Sequence, residues 1–74
     1  MSKYAVLRIT LNKNGREYAP HVVKSVHEKY LDADNARLQS AWKTDTDWYE
    51  TVWHIDDVRV LQKRGAPVIW EAQP

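Results

Sequence analysis

The chain is 74 residues long, with 11 Lys and Arg against 10 Asp and Glu and no cysteine. That length admits a single domain, which buries only roughly 60% of the surface its unfolded chain exposes, and the missing cysteine excludes disulfides, thiolate nucleophiles and the common structural zinc sites. The balanced charge gives no electrostatic case for non-specific nucleic-acid binding.

The first element is a strand over residues 3–11. KYAVLRITL places Ala5, Leu7, Ile9 and Leu11 on one face and Tyr4, Val6, Arg8 and Thr10 on the other, the period-two pattern of a strand. NKNG follows, and Asn14-Gly15 can take the positive φ values of a hairpin turn. The return segment covers residues 16–31. Pro20 cannot donate a ladder hydrogen bond, so the segment is an edge, a bulge or a loop there. Beyond it, Val22, Val26 and Tyr30 recur at helical spacing, yet the β-branched cluster Val22, Val23 and Val26 favours a strand, the assignment preferred for residues 21–31.

DADNARLQSAWK predicts a helix over residues 34–43, with Asp32 or Asp34 as cap and Leu38, Ala41 and Trp42 as the apolar stripe. TDTD then interrupts it. Residues 50–62 alternate as a strand, with the phase shifting at Asp56-Asp57; a bulge there would keep Val58 and Val60 on the same face. The rival for residues 56–64 is a helix capped at Asp56 and closed by Lys63, Arg64 and Gly65. The strand is preferred because VRV is β-branched at alternate positions. KRGAP supplies a turn, and residues 67–72 form a last short strand. The expected fold is α+β: one small domain, an antiparallel sheet of three to four strands with one helix packed on it.

No run approaches the ~20 apolar residues needed to span a bilayer, and MSKYAVLRITLN is too short and polar for a signal peptide. Without cysteine, a cytoplasmic location is expected. The two glycines, Gly15 and Gly65, sit in turn contexts, which excludes a phosphate-binding glycine loop. His54 with Asp56 and Asp57 resembles an imidazole and carboxylate cluster, but on a strand Asp57 leaves that face and no second histidine stands at ligand spacing, so no metal and no cofactor are expected. A chain this short can hardly enclose a catalytic cleft, so no catalytic residue is assigned and no enzyme is expected.

The composition is more telling in its aromatics: four Trp, four Tyr and no Phe. These side chains combine a large apolar face with a polar handle, as at interface hot spots. From Thr44 to Val58 there are five acids and no Lys or Arg. Trp48 and Tyr49, read as loop residues ringed by Asp45, Asp47 and Glu50, have the makeup of a protein-binding surface, aromatic anchors inside a polar rim. Lys63 and Arg64 form a secondary polar corner. Such a rim suits a host protein with a basic surface, and the assembly is expected to be a monomer or homodimer. The alternative is a single-stranded nucleic-acid binder that stacks bases on Tyr4, Tyr18, Tyr30 and Trp70 beside Arg8, Lys13, Arg16, Lys24 and Lys29.

The hairpin start at NKNG, the single helix DNARLQSAW and the strands TVWHI and VIWEA together resemble, in layout, small phage-encoded accessory proteins, including some anti-CRISPR proteins. The resemblance implies a non-enzymatic inhibitor that blocks a host nucleic-acid-handling complex. It assigns no role to any single residue.

Overall fold

The computed structural model describes residues 2–11, 14–41 and 48–74. Its elements run β1 (Tyr4–Leu11), β2 (Glu17–His27), α1 (Tyr30–Ala41), β3 (Trp48–His54), α2 (Ile55–Lys63) and β4 (Val68–Trp70). The α+β class holds, and the described residues form four strands ordered β3-β1-β2-β4 in one sheet. The sheet is mixed: β1 pairs antiparallel with β2 and β3, whereas β4 runs parallel to β2.

β1 is central because its alternation serves both faces at once. Ala5, Leu7 and Ile9 are fully buried on one side, and Val6 on the other. Ala5 and Leu7 pack with Val23, Ile55 and Val58 to make the core, and Val26, Trp53, Val68 and Trp70 close around it. This is the α2 face of the sheet. On the opposite face α1 lies against β3, β1 and β2, with Ala33 fully buried and Tyr30 edge-on to Tyr4 at 5.7 Å.

The hairpin forms as expected, with β1 and β2 paired antiparallel and Gly15 at φ 77°, the left-handed region that glycine enters without strain. β2 then carries two register irregularities, one opposite Val6 and Leu7 and one opposite Arg8 to Thr10. The second spans Pro20, where a ladder donor is missing.

Three boundaries differ from the sequence expectation. The return strand ends at His27, and α1 starts at Tyr30 rather than at residue 34, so Asp32 lies in its first turn and Asp34 inside it. Asp34 there accepts from Arg37 one turn on, at 2.7 Å. The buried stripe of α1 also differs: Leu38 is 51% exposed, and Ala33 faces inward. A methyl group lets the helix approach the sheet closely, which a leucine at that position would prevent.

The third difference is the largest. Residues 55–63 form a helix, not the second half of a bulged strand, and the last two strands are not a hairpin. Helix signals outweigh the alternating valines. His54 is the N-cap, its Nδ1 accepting from the Asp56 amide; Asp56 and Asp57 occupy the positive first turn, and Lys63 the last. Gly65 follows the Arg64 cap at φ 92°, a conformation that favours glycine. Val58 is fully buried and Val60 is 46% exposed, which fits a helix with one inward stripe, Ile55 and Val58. α2 therefore carries the chain from one edge strand, β3, to the other, β4.

Candidate functional site

The residues expected to make a binding surface are divided by the fold. Asp45 and Asp47 lie outside the described residues. Trp48 and Tyr49, expected in a loop, begin β3, pairing with Thr10 and Ile9 of β1. Lys63 and Arg64 are exposed at the end of α2, where the chain leads to β4 at the sheet's other edge. The structure does not bring that polar corner together with Trp48 and Tyr49.

Glu50 requires a correction: it is not part of an exposed rim. In the strand it stands opposite Arg8 of β1, and directly opposed residues in an antiparallel pair share a face. Its side chain is fully buried, and its Oε2 accepts from Arg8 Nε and Nη2 at 3.4 and 3.3 Å. Glu50 Oε1 has no hydrogen-bond partner among the described residues. The Arg8 guanidinium in turn lies 3.7 Å from the centroid of the Trp48 ring, a cation–π geometry. Arg8, Glu50 and Trp48 thus form one stack on the α1 face. Trp48 is half-buried by it, and Glu50 is spent on holding Arg8.

Tyr49 points to the opposite face and is 39% exposed. Its hydroxyl donates to the carboxylate of Glu17, the first residue of β2. That hydrogen bond, then burial and the negative charge of Glu17, push the Tyr49 phenol up to about 12. All three causes favour the neutral phenol. The stabilisation from this contact is therefore present below pH 10.0, the ordinary value, and is lost as pH rises through about 12. In an alkaline absorbance titration, Glu17→Gln is expected to bring one phenolate transition down towards about pH 10. An unchanged titration would show that Glu17 does not hold Tyr49.

The acids at the end of β3 serve the helix. Asp56 contacts His54 Nδ1 at 3.6 Å and Arg59 at 3.9 Å, all exposed. They border an open cleft of about 460 Å³ near Lys3 and Tyr4. Tyr4 fills one wall, edge-on to the His54 ring at 5.6 Å. Among the described residues, no group of three or more His, Cys, Asp or Glu is placed to hold a metal ion. No helix among them is long and apolar enough to cross a membrane.

The feature that sequence reasoning missed is the position of β3. Among the described residues it is the outermost strand, paired only to β1, and its outer edge runs along WYETVWH. The hint was present in the dense aromatics, but strand order depends on long-range pairing that no local pattern states. Comparison with protein-family models, curated proteins and solved structures found no match.

Proposed function

We propose that this is a non-enzymatic protein-binding module that receives a partner protein at the outer edge of β3. The observation that carries the reading is that edge itself: an outermost seven-residue strand with Trp48, Tyr49 and Trp53 along it. Edge addition draws affinity from backbone hydrogen bonds and selectivity from side chains that alternate between the two faces. Here the selecting side chains are aromatic, with Tyr49 the most open of the three. The finer reading is a phage or mobile-element product that blocks a host nucleic-acid-handling complex. It rests on Asp45 and Asp47, which precede Trp48 in the sequence, and on the resemblance in layout.

The nucleic-acid alternative is less well supported, because several of the side chains it requires are engaged elsewhere. Tyr4 packs on Tyr30 and His54, Arg8 is paired with Glu50, and Lys24 is paired with Glu71. Helices lie on both faces of the sheet, and Tyr4 and Trp70 are on opposite sides of it.

The test is capture by the tagged protein from nuclease-treated host lysate, wild type against Tyr49→Ala. The substitution is expected to weaken capture of a specific protein by about 2 kcal/mol, roughly thirtyfold. The thermal midpoint should fall by several degrees at most, since Tyr49 is 39% exposed and gives up one exposed hydrogen bond, so capture is compared at a temperature where both proteins are folded. Capture that vanishes with nuclease, or that ignores the substitution, would overturn the reading.

A further inference from the structure

The edge of β3 also carries information about what it pairs with. Natural edge strands are kept from pairing by lysine and other charges, proline, bulges, inward-pointing charges, a covering helix or loop, or short length. β4, at the other edge, is only three residues long. β3 lacks most of these devices. WYETVWH contains no Lys and no Pro, and its register against β1 is unbroken from Tyr4↔His54 to Thr10↔Trp48. The one such device it carries is Glu50, a charge turned inward, and Arg8 offsets that charge within the same sheet.

The strand is also complementary to itself. Set antiparallel against a second WYETVWH with Thr51 at the centre, Thr51 faces Thr51, Tyr49 faces Trp53, Trp48 faces His54, and Glu50 faces Val52. Aromatic pairs and Thr–Thr pairs are among those that stabilise antiparallel ladders, and no like charges meet. A centre at Glu50 would oppose two carboxylates, and a centre at Val52 would leave Trp48 and Tyr49 without strand partners. Only the Thr51 register uses all seven residues.

We propose that β3 pairs antiparallel with β3 of a second copy of this chain, about a two-fold axis at Thr51, joining two four-stranded sheets into one of eight strands. Such an interface is isologous and closes on itself. The proposal rests on the edge-binding reading above and names the partner strand.

Because the chain has no cysteine, a single introduced thiol can cross-link only to another copy. Opposed Cα atoms in an antiparallel pair lie about 4.5–5.5 Å apart, inside the about 4.4–6.8 Å that a disulfide spans. Under mild oxidation at micromolar concentration, Thr51→Cys is expected to dimerise covalently at least tenfold faster than Lys63→Cys, an exposed site at the end of α2. Sedimentation equilibrium of the wild type should show a dimer that Thr51→Lys, which opposes two ammonium groups at the axis, converts to monomer. Equal cross-linking rates, or a monomeric wild type, would overturn the proposal. A monomer that still captures a foreign protein through Tyr49 would leave the edge-binding reading intact; a monomer that captures none would end both.

Discussion

Arg8→Ala is expected to destabilise the fold by about 3 kcal/mol, because it leaves the Glu50 carboxylate buried without its counter-charge. Arg8 is itself 31% exposed on its side chain, so the loss belongs at the lower end for a buried pair. The carboxylate has little alternative. Glu50 Oε1 already lacks a hydrogen-bond partner among the described residues, and removing Arg8 would orphan Oε2 as well. Trp48 would lose the cation on its ring, worth about 0.5–1 kcal/mol at a half-exposed site. Against a total stability of about 4–11 kcal/mol for 74 residues, the change is large. Urea unfolding measures it: the midpoint should fall with the slope unchanged. The double variant Arg8→Met/Glu50→Leu should recover most of the loss, since apolar side chains of similar volume often replace a buried pair at little cost. An Arg8→Ala midpoint equal to wild type would mean that Glu50 reaches water in solution. It would then return to the set of possible contact residues.

Leu7→Ala is expected to cost about 3–4 kcal/mol, the range for truncating a well-packed core leucine. Leu7 is fully exposed to neither face; it sits at 0% accessibility in the central strand, beneath α2 and beside Ala5, Val23, Ile55 and Val58. The cluster draws on β1, β2 and α2, so filling the cavity would need more than one element to move. A thermal melt should show the loss as a drop of about 4–8 °C per kcal/mol for a domain of this size. A drop of only a few degrees would indicate that α2 settles onto the sheet and closes the space. Leu38→Ala, at an exposed position on α1, is the control and should change stability by no more than about 0.5 kcal/mol.

Period-two alternation made β1 legible, because Ala5, Leu7 and Ile9 write the α2 face into every second residue, even though Val6 is buried on the other face. The hairpin was equally plain from Gly15, and the disturbance in β2 from Pro20. Residues 55–63 misled because valines at 58 and 60 alternate as readily as strand residues do, while the helix signals lie in the caps: His54, the paired aspartates, Lys63 and Gly65. Once the segment is helical, β4 can no longer return beside β3, and it joins β2 in parallel instead. The start of α1 was hidden for a related reason. Tyr30 and Leu31 are exposed at 52% and 72%, so no apolar periodicity marks that first turn.

The candidate site was legible in its aromatics and not in its charges. Trp48 and Tyr49 were identified from composition, but the fate of Glu50 depends on a β1–β3 register that brings Arg8 opposite it from 42 positions away. Local sequence cannot specify which of several strands a carboxylate will face. The same register separates Tyr49 from Glu50, placing one on the α2 face and the other on the α1 face.

The strand order has a kinetic meaning. β1 comes first along the chain and yet stands in the middle of the sheet, with β3 on one side and β2 on the other. Only its pairing with β2 closes a short loop; its pairing with β3, and that of β2 with β4, must wait for distant segments. Loop-closure entropy is spent before those contacts reward it, which slows folding relative to helical proteins of the same size. During that interval the aromatic sequence of β3 is an unpaired strand in search of a partner, and high protein concentration offers it other copies before its own β1.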